Sequence, residues 1–307
     1  MQLNDSYHHK DAAPAIKLDQ IMENQNFASI YLEAHKARLR GLDSIYLLCQ
    51  LIRRLQQHRG ASLAVLAGDT IFESRLHALQ GPIYETMAKI QNEGAGLIDQ
   101  RRWAQIVSEW FTVKRQWRKD SVVQNFELHS HVITQINDLI WQVAKNSDPR
   151  IESDPILKEL GQYLFRSVLD VIEILGKLRG LSTHVAVLGV CETDFSLRIS
   201  FLRRQLDTAS ANSHAQLQSL PTRFKDPLLL RIGSYRCHAI ERSLCTMIDQ
   251  DIIGKGPVKA TSDQVFGLAT QAIDAYVAVL TTGLEIMRTE LDDNLKMWVE
   301  KRVMPAQ

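Results

Sequence analysis

The chain contains one apolar segment twice, and each copy has an arginine in its apolar stripe. The first copy reads LIRRLQQHRGASLAVLAG and contains Arg59, and the second reads VIEILGKLRGLSTHVAVLG and contains Arg179. Adding 120 to a residue number in the first copy gives the matching position in the second. Apolar residues recur every three or four positions in both copies, which predicts helices with one buried face. We therefore expect two helices that each turn a guanidinium toward the interior.

Periodicity of this kind fills nearly the whole chain, so the predicted fold class is all-α. Glycine and proline clusters separate the periodic runs. The two Asp-Pro pairs in NSDPRIESDP, residues 146–155, indicate a boundary between halves. We predict a partly ordered N-terminal segment over 1–27, a first domain over 28–146 and a second over 156–304. The predicted helices are 28–67, 70–92, 100–118, 121–145, 156–190, 194–214, 227–251 and 262–302.

Matches outside the arginine segments indicate an internal duplication. Phe72 matches Phe195 at an offset of 123, and Phe126 matches Phe266 at an offset of 140. Offsets that only increase along the chain are typical of insertions in loops after a duplication. The sequence therefore predicts two four-helix bundles, one in each domain, related by a pseudo-twofold axis.

Composition excludes several classes of protein. A chain of 307 residues with 45% hydrophobic side chains can bury a large core. Its 36 basic and 35 acidic side chains give a net charge of +1, which offers no surface for nucleic acid. The polar N-terminus lacks a secretion signal, and no apolar run approaches the roughly 18 residues of a membrane span. We therefore expect a cytoplasmic protein. Without a CxxC spacing, reduced core thiols are expected at Cys49, Cys191, Cys237 and Cys245.

A buried arginine needs an anionic partner, because an unpaired buried charge costs several kcal/mol and the guanidinium keeps its proton. Residues one turn away supply no carboxylate in either copy, so the partner comes from another helix or from outside the protein. The guanidiniums can also extend to the surface. A shared small anion such as nitrate would suit their planar geometry. The internal candidates, on the last helix of each half, are Glu127, Asp138, Asp274 and Glu285.

Each arginine is followed by a glycine and, one turn later, by a serine. Gly60 and Gly180 each cost about 1 kcal/mol of helix stability relative to alanine. Their presence at the same place in both copies predicts that another backbone approaches closely there. Ser62 and Ser182 offer hydroxyl donors to the same ligand.

The segments LQQHRGASLAVL and LGKLRGLSTHVAVLG resemble the arginine-glycine signatures of the nitrate- and nitrite-sensing (NIT) domain family. That family consists of all-helical sensors built from two four-helix bundles. The resemblance covers roughly residues 32–290 and extends to the helix NFELHSHVITQINDLI. It implies that one arginine from each half binds nitrate or nitrite between the bundles. The matching site residues are Arg59, Arg179, Ser62, Ser182, Gly60 and Gly180.

Many family members carry an output module after the sensor, such as an ANTAR-type RNA-binding domain, a kinase or a chemotaxis signalling region. No such module follows the last predicted helix here. We therefore expect signalling through a protein partner that regulates nitrogen metabolism, or through a homodimer. The end of the last helix has an apolar seam that suits either dimerisation or packing on its own bundle. It consists of Leu284, Met287, Leu291, Leu295 and Trp298.

Other chemistry has little support in the sequence. No signature of a catalytic nucleophile is present, so we expect neither an enzyme nor a cofactor. His129 and His131 point to different faces of a helix, and no metal site is expected. Trp103, Trp110 and Trp117 step by seven, which predicts a core stripe rather than a surface for single-stranded nucleic acid. Two alternatives to the nitrate sensor stay open, a helical scaffold with structural arginines and a sensor of another small oxyanion or carboxylate.

Overall fold

The computed structural model describes residues 13–150, 154–254 and 256–303, and these ranges contain helices and turns but no strand. The all-α fold class predicted from the periodicity is confirmed. π-Helical turns at Tyr163–Val168 and Ile248–Ile252 follow α5 and α9. The helices are α1 (Ala13–Leu66), α2 (Ile71–Glu93), α3 (Gln100–Gln116), α4 (Val122–Ser147), α5 (Pro155–Gln162), α6 (Leu169–Leu188), α7 (Thr193–Ser219), α8 (Thr222–Ser234), α9 (Cys237–Met247) and α10 (Ser262–Val303).

Local capping explains where several helices begin and end. The side chains of Asp99 and Ser121 accept hydrogen bonds from backbone N–H groups in the first turns of α3 and α4. Asp154 does the same for α5, whose first residue is Pro155. Gly189 follows α6 with φ 72°, a left-handed conformation that glycine adopts without strain and that ends the helix.

Helices α1 and α6, which contain the two arginine segments, lie at the centre of the fold. Helix α1 packs against α2, α4, α6 and α10, and α6 packs against α1, α7 and α10. Their apolar side chains belong to one continuous core that draws on both halves of the sequence, from Ile45 to Val279. The two arginine segments therefore meet inside this shared core. The arrangement as two duplicated bundles stays a prediction.

The predicted helix boundaries differ from the structure most clearly in three places. Helix α1 begins at Ala13, well before the predicted start at residue 28, whereas residues 1–12 and 304 lie outside the described residues. A π-helical turn interrupts the helix predicted over 156–190. The prediction of one helix over 227–251 was wrong, because Arg236 has φ 52° and a left-handed residue breaks a right-handed helix between α8 and α9.

The last helix, α10, is more apolar than the sequence analysis recognised. Its residues 262–301 include a stretch of mean hydropathy 1.3, long and apolar enough to cross a membrane by length and composition. Of that stretch, 56% is buried inside this chain, as in the core helix of a globular protein. In the seam at its end, Met287 and Leu291 are buried, and Trp298 stacks on Tyr31 of α1 with ring centroids 4.6 Å apart. These contacts favour packing within the chain for this seam.

Two glycines of α10 are expected to respond in opposite ways to a methyl group. A methyl group at Gly283 would overlap the buried side chain of Leu164, so Gly283→Ala is expected to destabilise the fold by about 1–3 kcal/mol through overpacking. Gly267→Ala is the matched control, since its methyl group meets no described atom within 4 Å. It should stabilise the helix by up to about 1 kcal/mol. Urea unfolding of both variants measures the difference, and equal effects would contradict the packing described here.

Candidate functional site

Helices α1 and α6 approach each other closely at their glycines. A methyl group added at Gly180 would lie 3.0 Å from Cδ1 of Leu63 and 3.9 Å from Cα of Gly60. The close backbone approach predicted for these two glycines is therefore confirmed. One turn earlier on α6, a methyl group at Gly176 would lie 3.0 Å from Nη2 of Arg59. Glycine at this position lets a guanidinium of α1 lie directly against the backbone of α6.

Arg59 is fully buried and has an internal carboxylate partner on α6. Its Nη1 donates to Oε1 of Glu173 at 2.6 Å, and its Nη2 donates to Oε2 at 3.2 Å, so the two side chains form a bidentate pair. Nε2 of Gln56 donates to the same carboxylate at 2.7 Å. The hydroxyl of Ser130 accepts a further bond from Nη1 at 2.8 Å. The sequence left open whether the anionic partner of each buried arginine comes from another helix or from outside the protein. For Arg59, the partner is a carboxylate on another helix.

Arg179 is buried as deeply, but no carboxylate of the described residues hydrogen-bonds to it. Its Nη1 donates to Oγ1 of Thr270 at 2.9 Å, and its guanidinium lies 4.8 Å from the ring centroid of Phe266. Its Nε and Nη2 have no hydrogen-bond partner within the described part of the chain. These two N–H groups form one edge of the guanidinium, which can bind two oxygens of a planar anion. A methyl group at Gly60 would lie 3.0 Å from Cε2 of Phe266 and 3.6 Å from this Nε, so glycine reduces crowding beside the guanidinium.

The two guanidiniums have equivalent neutral neighbours. Each Nη1 donates to a hydroxyl, that of Ser130 in one case and of Thr270 in the other. Each guanidinium also lies over a phenylalanine ring, Phe126 at 5.5 Å and Phe266 at 4.8 Å. Adding 140 to 126 and 130 gives 266 and 270, the offset that the sequence showed for these helices. The neutral surroundings of both arginines therefore follow the predicted repeat.

The charged neighbours differ at one pair of equivalent positions. At the offset of 120, Glu173 corresponds to Arg53. Arg53 pairs with Asp274 at 2.6 Å in a partly exposed position, so Arg179 has no counterpart of the carboxylate that Arg59 uses. The buried charges alone, those of Arg59, Arg179 and Glu173, give a net charge of +1. The asymmetry leaves the positive charge at Arg179 without a direct counter-ion.

Burial and repulsion together act on the pKa of Arg179. Burial lowers this pKa to about 9, and the nearby charge of Arg59 contributes to the decrease. Since 9 is above neutral pH, Arg179 keeps its positive charge under ordinary conditions. An anion held at its free edge would reduce the repulsion between the two guanidiniums.

The structure separates the two serines that the sequence had treated alike. Oγ of Ser62 lies 2.9 Å from the carbonyl oxygen of Arg59 and 3.2 Å from Oδ1 of Asn125, and its single proton serves one of these acceptors. Oγ of Ser182 and Oγ1 of Thr183 are buried without a partner among the described residues. Ser182 is therefore the serine with an unused hydroxyl. Contact of either serine with a ligand stays a prediction.

The four carboxylates considered as internal partners do not contact the buried arginines within the described residues. Their described ion pairs are Glu127 with Arg198, Asp138 with Arg166 and Arg102, and Asp274 with Arg53. None of these four candidates is the internal partner of Arg59, because a pairing across helices depends on tertiary packing. The residues that hold Arg59 in place were not predicted from the sequence. They are Glu173, Gln56 and Gly176.

Two buried histidines continue the polar network away from the arginines. Nδ1 of His129 lies 2.8 Å from the carbonyl oxygen of Asn125, which can only accept, so this nitrogen carries the proton. Nε2 of His129 then accepts from Nδ1 of His58 at 2.9 Å. Burial lowers the pKa of His129 to about 3 and the pKa of His58 well below its ordinary value. Both rings are therefore neutral in the folded protein at pH 7.

Several other expectations can be compared with the structure directly. Trp103, Trp110 and Trp117 are buried, so the tryptophan stripe belongs to the core as predicted. His129 is buried whereas His131 is exposed, in agreement with their opposite faces. Within the ranges that the structure describes, no group of three or more His, Cys, Asp or Glu side chains could hold a metal ion. The cysteines are free, and three of them are buried, namely Cys49, Cys237 and Cys245.

Comparison with known proteins gives a likeness in fold. No family model and no curated protein matches the chain. Among solved structures, it is similar to that of the NasR transcription antiterminator, with a TM-score of 0.63. The sequences are 17% identical, and the match covers 94% of this chain and 78% of that chain. At this identity the likeness concerns the fold alone, and it supports the NIT-like architecture that the sequence resemblance implied.

Proposed function

We propose that this chain is a cytoplasmic sensor of nitrate or nitrite and that Arg179 holds the anion. The observation that carries the proposal is the pair of buried N–H groups, Nε and Nη2, that have no partner within the described residues. Donors of a buried charged group that stay unpaired cost several kcal/mol. A planar anion with two adjacent oxygens would accept both hydrogen bonds at once.

Charge and size narrow the class of ligand. The three buried charged side chains at the site sum to +1, so one monovalent anion neutralises them, whereas a divalent anion would leave excess negative charge in the core. Arg59 contributes attraction because it is close enough to lower the pKa of Arg179. The ring of Phe266 and the backbone at Gly60 bound the space beside Nε, which favours a ligand of a few atoms.

The mode of signalling follows from the position of the site. Arg179 lies where α6 crosses α1, and these helices carry the two halves of the core. An anion that removes repulsion between the guanidiniums stabilises one packing of α1 on α6 relative to other packings. The resulting shift in the population of these packings is the signal. The fold likeness to a transcription antiterminator supports a regulatory rather than a catalytic role. We propose that the signal passes to a partner protein or a second copy of the chain.

Calorimetric titration with sodium nitrate, with sodium chloride at equal ionic strength as the reference, tests the function. Saturable heat with nitrate is expected for the unmodified protein. Arg179→Met should weaken nitrate binding by on the order of 100-fold, since it removes a desolvated charge from the contact. The same substitution should leave stability unchanged or raised, because it removes an uncompensated buried charge. Arg198→Met is the matched control, as this arginine is exposed and pairs with Glu127.

The two alternative functions, a helical scaffold and a sensor of another small anion, predict different results in the same titration. For a helical scaffold with structural arginines, no small anion would produce saturable heat or raise the melting temperature. For a sensor of another small anion, formate, acetate or another oxyanion would bind more tightly than nitrate, and Arg179→Met would abolish that binding instead. Nitrite belongs in the same series, since its two oxygens fit the same edge of the guanidinium.

A further inference from the structure

We propose that Glu173 acts as an internal substitute for the ligand at Arg59 and moves to Lys177 when an anion binds, so that it sets both the affinity and the charge selectivity of the site. The inference rests on the proposed function and adds a residue that regulates it. It begins from the asymmetry of the two arginines, one of which is paired with a carboxylate and one of which is not.

The carboxylate of Glu173 occupies the positions that two oxygens of a planar anion would take on Arg59. It binds Nη1 at 2.6 Å and Nη2 at 3.2 Å, which is the two-pronged arrangement expected for nitrate on a guanidinium. An anion that bridges both arginines through this edge must therefore displace Glu173. Without displacement, Nε is the one donor of Arg59 that has no partner among the described residues, so the anion cannot form a two-pronged contact there.

Glu173 has a second cation close by on its own helix. Nζ of Lys177 lies 3.9 Å from Oε1 of Glu173, one turn along α6. Both side chains line a surface pocket of about 350 Å³ that is open to solvent. The carboxylate therefore stands between the buried site and this pocket, and rotation of its side chain exchanges Arg59 for Lys177.

Three further charged side chains line this pocket beside Glu173 and Lys177. Arg166 adds positive charge to the pocket, whereas Asp138 and Asp170 add negative charge. Burial raises the pKa of Asp170, with Glu173 contributing to the increase, which shows that the two carboxylates sense each other.

The surroundings of Glu173 are built to hold it against Arg59. Nε2 of Gln56 donates to its Oε2 at 2.7 Å. A methyl group at Gly176 would lie 2.8 Å from Cδ of Gln56, so the absence of a side chain at that position makes room for this contact. At the offset of 120, Gly176 corresponds to Gln56 and Glu173 to Arg53, so this support exists on one side of the site only.

The test measures nitrate and sulfate binding by calorimetry in Glu173→Gln. Removing the competing carboxylate is expected to tighten nitrate binding by about 10-fold or more, because Arg59 is then available in every molecule. Sulfate, which the unmodified site rejects by charge, should gain measurable binding. Glu127→Gln is the matched control, since it makes the same chemical change at an exposed carboxylate that pairs with Arg198 and lies outside this pocket. Its nitrate affinity should equal that of the unmodified protein.

Lys177→Met tests the movement in a protein with an intact buried pair. If Lys177 receives Glu173, its loss should weaken nitrate binding by about 3- to 10-fold, and it should have no effect when Glu173→Gln is also present. An equal loss of affinity in both backgrounds would overturn the movement, because it would reflect general electrostatics. Nitrate binding of equal strength in Glu173→Gln and the unmodified protein would overturn the inference while the proposed function stands. If none of these proteins binds nitrate, the proposed function fails, and the inference fails with it.

Discussion

Replacing Arg59 with alanine is expected to destabilise the fold by about 3–5 kcal/mol, the largest effect of any single substitution considered for this chain. The side chain of Glu173 is only 7% exposed, and Arg59 supplies two of its hydrogen bonds. Without the guanidinium, the buried carboxylate retains Gln56 as its close donor and Lys177, at 3.9 Å, as its nearest described cation. Urea unfolding monitored by circular dichroism measures the loss.

Arg53→Ala is the matched control for this prediction. Arg53 lies on the same helix and is also 2.6 Å from its carboxylate partner, Asp274, but the two side chains are 32% and 40% exposed. An exposed ion pair contributes up to about 1 kcal/mol, since water screens it. Replacing both Arg59 and Glu173 with methionine should recover most of the stability, because no unpaired charge remains. Equal effects of Arg53→Ala and Arg59→Ala would contradict the assignment.

Much of this architecture could be predicted from the sequence because it is local. Steps of three and four place Arg59 and Arg179 on buried faces, and both are at most 1% exposed. Paired glycines in a helix have an intrinsic cost, so they indicate a close contact that compensates for it, as Gly60 and Gly180 show. Such signals need no knowledge of which helix lies opposite.

The partner of Arg59 could not be derived in the same way. Its carboxylate, Glu173, is 114 residues away, and only the packing of α6 on α1 brings the two together. One signal was present, since Glu173, Gly176 and Gly180 share a helical face and the glycines mark that face as the contact with α1. A carboxylate on the same face as the glycines is therefore a candidate partner for an arginine on the opposing helix.

The break at Arg236 illustrates another limit. Left-handed residues are usually glycine or asparagine, and an arginine in that conformation gives no sequence signal.

One difference in sequence between the two halves has a larger consequence for the proposed function than this helix break. The predicted repeat makes positions 53 and 173 equivalent, and arginine in one with glutamate in the other gives one buried arginine a counter-ion and leaves the second without one.

Acid should unfold this protein through its buried histidine pair. Burial holds the pKa of His58 well below 6.5 and the pKa of His129 at about 3, whereas both groups titrate near 6.5 in the unfolded chain. Below pH 6.5 the unfolded state therefore binds protons that the folded state does not. The stability from this pair is complete above pH 6.5 and is lost as the pH falls, by about 1.4 kcal/mol per pH unit for each histidine.

Between pH 6 and pH 5 the free energy of unfolding should therefore fall by up to about 2.4 kcal/mol, since histidines in the unfolded chain are only partly protonated at pH 6, and urea unfolding at several pH values measures this slope. His129→Gln should halve the slope, because one of the two groups that gain a proton on unfolding is removed and the amide oxygen can still accept from His58. His131→Gln is the matched control, since His131 lies on the same helix and its side chain is 65% exposed. A slope that His129→Gln leaves unchanged would show that carboxylates, and not this histidine pair, govern the response to acid.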